Sequence, residues 1–133
     1  MRYLIVVLAA LAAAIFIASS SLAASTLPAQ STSASGVTVS ATPQSLSDKS
    51  WDFEIAFDTH SQELNDDLTK EAVLIAASGV TSAPISWQGD PPGGHHRKGV
   101  LRFKPLAGQP PAIELQIKRV GETAPRSFRW QLD

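Results

Sequence analysis

Histidine, carboxylate and cation come together most densely in one stretch of this chain, Trp87-Gln-Gly-Asp-Pro-Pro-Gly-Gly-His-His-Arg-Lys-Gly-Val-Leu-Arg-Phe103. It holds two of the three histidines, His95 and His96; the third, His60, lies among the carboxylates Asp58, Glu63, Asp66 and Asp67. Imidazole and carboxylate ligands without sulfur suit Zn²⁺ or Cu²⁺. Adjacent histidines on a strand point to opposite faces, but behind two glycines both can turn toward one ion. His60, His95 and His96 are therefore the candidate metal ligands. Trp87, Asp90, Gly93, Gly94, Arg97 and Lys98 form a candidate binding loop around them, where two cations and free backbone donors could meet a carboxylate or phosphate. A plain hairpin connection accounts for the same residues with no ligand.

Residue types narrow the remaining chemistry. The chain has no cysteine, which removes thiolate nucleophiles, redox pairs and Cys-type zinc sites. Neither Gly-x-Ser-x-Gly nor His-Glu-x-x-His occurs, and the chain is read as non-enzymatic. Residues 58–67 lack the Asp-x-Asp-x-Asp-Gly order of a helix–loop–helix calcium site, and the 93–98 loop lacks the Gly-Lys-Ser/Thr of a nucleotide loop. No cofactor is assigned beyond the candidate Zn²⁺ or Cu²⁺.

The elements that must position this loop are strands. Trp51–Asp58 alternates strictly, with Trp51, Phe53, Ile55 and Phe57 on one face and acids on the other. Val100–Lys104, Ile113–Lys118 and Ser127–Leu132 alternate in the same way. Val37–Ala41 reads as an edge strand that stops at Pro43. Glu71–Ala76 is a continuous apolar run, which predicts a central strand covered on both faces. Ile85–Trp87 is a further short strand. Residues 59–70 predict a long loop with at most one or two helical turns, capped by Thr59 or Ser61. About seven short strands with turn signals between them predict an all-β fold, an immunoglobulin-like antiparallel sandwich over residues 37–133. Trp51, Trp87 and Trp130 read as core.

The chain opens on Arg2, an apolar run from Leu4 to Ala18, and Ser21-Leu22-Ala23. That order predicts a signal peptide over 1–23, cleaved after Ala23 and placing the protein in the periplasm or outside the cell. Left uncleaved, the same segment would anchor the chain in a membrane. Residues 24–36, small and polar, predict a flexible linker. Removing residues 1–23 takes away Arg2 and no acid, which leaves ten bases and twelve acids. That balance argues against nucleic acid as a partner. Residues 37–90 carry nine acids and two bases, and residues 91–133 carry eight bases and three acids. In an antiparallel sandwich the two halves lie side by side and neutralise each other across strands. The sequence thus points to an exported, non-enzymatic binding or accessory module for an undefined protein or small ligand. A periplasmic Zn²⁺- or Cu²⁺-binding protein using the His95-His96 loop is the alternative.

Overall fold

A computed structural model describes residues 27–133. The expected signal peptide and the first residues of the linker lie outside them. Among the described residues, no helix is long and apolar enough to cross a membrane.

Alternation of apolar and polar residues gives strands with one buried face, and burial of that face gives the layers. In chain order these are β1 (Gln30–Ala34), β2 (Val37–Leu46), β3 (Trp51–Thr59), a helical turn α1 (Leu68–Glu71), β4 (Ala72–Ala76), β5 (Thr81–Ser82), β6 (Pro84–Gly89), β7 (His96–Phe103), β8 (Ala112–Ile117) and β9 (Arg126–Gln131). Two antiparallel sheets pack face to face as a β-sandwich, one in the order β1-β2-β3-β7-β6 and the other β5-β4-β8-β9. All seven strands expected from the sequence are present, as β2, β3, β4, β6, β7, β8 and β9.

The core is aromatic at its centre. Phe53 on β3 meets Phe103 edge-on at 5.7 Å and Trp130 of the opposite sheet at 5.6 Å. Trp51, Ile55 and Phe57 extend the same face along β3, against Leu74, Leu115, Ile117 and Phe128 of the other sheet.

Four expectations are corrected. Residues 30–34, read as part of a flexible linker, form β1, because their backbone finds partners on β2 and their carbonyls find Arg126. Val37–Ala41 is consequently not an edge: β2 lies between β1 and β3 and runs on to Leu46. Its pairing with β1 ends at Ala41, so Pro43 falls where only β3 remains as a partner, and a register shift there absorbs the missing donor. Glu71–Ala76 is not covered on both faces. Ala72, Leu74 and Ala76 are buried, while Val73 and Ile75 lie half-exposed on the outer face. The helical turn is capped by Asp67, whose carboxylate accepts from the Thr69 amide at 3.1 Å, rather than by Thr59 or Ser61.

Charge pairing across strands follows the expected pattern. Asp52 and Arg102 form a two-bond pair at 2.9 and 3.1 Å, and Glu54 lies 3.4 Å from Lys98. These join an acid of the first half to a base of the second on the outer face of β3 and β7.

One close approach fixes how β6 and β7 pack. Gly89 and Gly99 are cross-strand partners, and the Trp87 ring lies over Gly99. A Cβ on Gly99 would sit 2.7 Å from the Gly89 Cα, 2.7 Å from Trp87 Cζ2 and 2.8 Å from the Gln88 carbonyl. Two of those atoms are backbone and cannot swing away. Gly99→Ala is expected to lower unfolding free energy by roughly 2 kcal/mol in denaturant titration; an unchanged midpoint would show that the strands can separate there.

Candidate functional site

The loop singled out by its composition is built as a clasp. Gly93 (φ 114) and Gly94 (φ 71) take backbone conformations open to glycine, and they use them to dock on the 59–67 loop. The Gly93 amide donates to the Leu64 carbonyl at 2.8 Å, and the Leu64 amide donates to the Gly94 carbonyl at 3.1 Å. Leu64 itself is fully buried. The Asp90 carboxylate accepts from the Lys98 amide at 3.0 Å, and its carbonyl accepts from Trp87 Nε1 at 3.1 Å.

Arg97 is not a presented cation. Strand alternation in β7 turns it inward opposite Phe57, and it is only 3% exposed. Its guanidinium stands 5.5 Å above the Trp87 ring and donates to the carbonyls of Asp66 (2.7 Å), Leu64 (3.3 Å) and Asp90 (3.3 Å). Of the candidate loop, Trp87, Asp90, Gly93, Gly94 and Arg97 are occupied with one another and with residues 64–66. Lys98 is left on the outer face beside Glu54.

The histidines do not converge. His96 Nδ1 lies 2.5 Å from Asp58 Oδ1 as an exposed pair at the end of β3 and β7. His95 and His60 are exposed, and the His95 carbonyl accepts from the Thr59 amide. Among the described residues, no group of three or more His, Cys, Asp or Glu side chains is placed to hold one ion.

Behind the clasp lies a buried ionic network that the sequence reading did not assign. Arg119 donates to both Asp66 carboxylate oxygens at 2.8 and 3.0 Å, contacts Glu122 at 3.1 Å, and lies 5.8 Å from the Phe57 ring. Arg126 pairs with both Glu122 oxygens at 2.7 and 2.8 Å and reaches across to the β1–β2 hairpin. Burial alone would push Asp66 up, but hydrogen bonds from Arg119 and Glu71 and the Arg119 charge hold it below its ordinary value. Hydrogen bonding by Arg126 holds Glu122 down in the same sense.

Glu71 goes the other way. Burial, then the hydrogen bond to Asp66 and its charge, push Glu71 up to about 8. Its Oε2 is buried with no partner within the protein. Two arginines already match Asp66 and Glu122, so a third carboxylate would leave the network with unbalanced negative charge.

A sizeable concavity with an apolar floor lies at the opposite end of the sandwich. A groove of about 820 Å³ opens between the end of β2, the start of β3, the 109–111 turn and the last residues after β9. Trp51, Pro43 and Pro110 are its buried floor, and Leu27, Leu46 and Leu132 are half-buried walls. Gln44, Ser45, Ser47 and Gln109 stand at the exposed rim. Asp133 also lines it, and among the described residues no lysine, arginine or histidine does. Gln109 holds φ 44, a left-handed conformation uncommon outside glycine, and so turns the chain into Pro110-Pro111. A smaller open hollow of about 400 Å³ on the other sheet is lined by Ile75, Ala77, Ala112 and the Glu114–Arg129 pair.

Sequence reasoning missed the groove because five separate segments build it. The available signal was Gly108-Gln-Pro-Pro111, whose glycine and proline density matches that of the Asp90–Gly94 loop. Comparison with protein-family models, with curated proteins and with solved structures returns no match.

Glu71 gives the network a measurable signature. The folded chain keeps its proton up to about pH 8, whereas the unfolded chain releases it near its ordinary 4.5. Between those values the folded state binds more protons, so stability declines as pH rises and levels off above about 8. Asp66 and Glu122, held low, oppose this only in acid, where stability falls as pH drops through the carboxylate range. Calorimetric melting is expected to show a lower Tm at pH 9 than at pH 5.5, and Glu71→Gln, which keeps a donor toward Asp66, is expected to flatten that difference. Equal slopes in the two proteins would contradict a protonated Glu71.

Proposed function

We propose that this chain is an exported, non-enzymatic binding module of immunoglobulin-like architecture, whose ligand site is the groove floored by Trp51, Pro43 and Pro110. The observation that carries this reading is the groove itself: a concavity of about 820 Å³ with an apolar floor and walls, and a rim of neutral hydrogen-bonding side chains joined by one carboxylate, Asp133. Ligand sites combine those two features, apolar area for affinity and a few polar groups for orientation. The histidine loop offers no comparable apolar concavity: Trp87, Asp90 and Arg97 are engaged within the protein, and His95 and His96 lie exposed.

Two further elements of the reading rest on sequence and strand order. Without β1 and β5, the sheets run β2-β3-β7-β6 and β4-β8-β9, which supports an immunoglobulin-like order of four strands over three. The Leu4–Ala18 run and Ser21-Leu22-Ala23 support export to the periplasm or beyond, or display on a membrane if the segment is retained. With Asp133 as the charged side chain among its described lining residues, the groove disfavours an anion and suits an uncharged ligand or an apolar segment of a protein.

The neutral dye N-phenyl-1-naphthylamine tests the site. Its fluorescence is expected to rise saturably on titration into the protein. Leu46→Asp, at a half-buried wall, is expected to weaken binding by at least about tenfold, as a charge placed in an apolar contact does. The His95→Ala/His96→Ala double variant is expected to bind the dye as the unaltered protein does. Weakening by the histidine variant and not by Leu46→Asp would move the site to the loop and overturn the proposal.

A further inference from the structure

β1 fills its place in the sandwich without contributing to the core. No residue from Leu27 to Gly36 is buried, whereas the β2 residues it covers, Val37, Val39 and Ala41, are at most 1% exposed. The side chains that β1 sets beside them are Ala34, Thr32 and Gln30. A strand suited to that seat would carry apolar residues at the last two positions. Its turn is also under strain: Ser35 holds φ 52 before Gly36 at φ 75, a two-residue hairpin turn that favours Asn-Gly.

β1 is held through its backbone and through polar side chains. Arg126 donates to the Thr32 and Ala34 carbonyls at 3.0 and 2.9 Å, and the Trp130 indole donates to the Pro28 carbonyl at 2.8 Å. Four of its five side chains also form hydrogen bonds, all of them polar. Thr32 Oγ1 accepts from Arg126, Ser31 and Ser33 meet Ser40 and Thr38, and the Gln30 amide bridges the backbone of Arg129. Any extended chain in the same register would present the same carbonyls to Arg126 and the same ladder to β2.

We infer that β1 is a displaceable strand, and that the slot between β2 and β9 is a docking site for an extended segment of another protein with apolar residues at alternate positions. Such a segment would keep the backbone contacts and bury apolar side chains of its own beside Val39 and Ala41, in the half-buried places that Thr32 and Gln30 fill with polar ones. The slot adjoins the Trp51 groove, whose wall residue Leu27 leads into β1, but the inference does not rest on a ligand in that groove.

The probe is a peptide of residues 28–35 carrying Gln30→Val and Thr32→Val, titrated into the full chain and followed by hydrogen exchange. Saturable binding is expected, with β1 amides losing protection while β3 amides keep theirs, and at least about tenfold tighter than for the unaltered 28–35 peptide. A Ser33→Cys/Thr38→Cys variant pins β1 by a disulfide across a pair whose hydroxyl oxygens are 2.8 Å apart, in a chain with no other cysteine. In its oxidised form it is expected to lose binding, and reduction is expected to restore it. Equal binding by the oxidised form, or no saturable binding by the unaltered protein, would overturn the inference. A dimer formed by exchange of residues 30–34 between copies would make the occupant a second copy, and would overturn the assignment to a foreign strand.

Discussion

Three buried guanidinium groups determine how the loops at one end of this sandwich meet. Removing a charge from water is costly unless every donor finds an acceptor, so each buried arginine dictates where acceptors must lie. Arg97 has no carboxylate at its donors and is satisfied by the carbonyls of Leu64, Asp66 and Asp90, which draws the 59–67 loop against the 90–96 loop. Arg119 takes both oxygens of Asp66, which brings the same loop to the turn after β8. Arg126 joins Glu122 to the carbonyls of Thr32, Ala34 and Val37 and so ties one sheet to the other. In a cysteine-free chain these contacts connect segments distant in sequence, as disulfides do in many small domains. Glu71 fits the same constraint by staying protonated, since the network already holds two carboxylates for its two paired arginines.

The two ends of the sandwich are therefore unlike. At the arginine end, side chains are consumed by one another and by backbone, and what is left exposed is scattered: His60, His95, the His96–Asp58 pair, and Val120 at 90% exposure. At the other end, leucine, proline and tryptophan from both sheets meet without closing over. A binding surface needs the second condition, and a rigid frame needs the first.

The strands were legible because period-2 alternation survives tertiary context: Trp51–Phe57, Ile113–Ile117 and Phe128–Trp130 lie inward as their spacing requires. The same rule, carried two residues further back from Leu101 and Gly99, places Arg97 on the inner face. The run His95-His96-Arg97-Lys98 obscured this, because a cluster of cations looks like solvated surface. β1 was illegible for a different reason. Gln30–Ala34 has no apolar pattern of its own, and its pairing depends on Arg126 and Arg129, almost a hundred residues away. Glu71 looked like the polar start of an apolar strand, and nothing local signals that Asp66 and Arg119 close around it. The groove, assembled from Leu27, the end of β2, the start of β3, the 109–111 turn and the residues after β9, has no contiguous signature beyond Gly108-Gln-Pro-Pro111.

Comparative denaturant unfolding of Arg119→Met, Arg126→Met and Arg129→Met tests the role of the buried arginines most directly. Methionine keeps most of the aliphatic bulk and removes the donors. Arg119 and Arg126 are less than a tenth exposed, whereas Arg129 carries an exposed pair with Glu114. Arg119→Met strands Asp66, and Arg126→Met leaves Glu122 with Arg119 alone and the β1–β2 carbonyls without their donor. Each is expected to lower unfolding free energy by about 3 kcal/mol or more. Arg129→Met is expected to change it little. Comparable small losses in all three variants would contradict an arginine-held end and leave the apolar core alone to account for the fold.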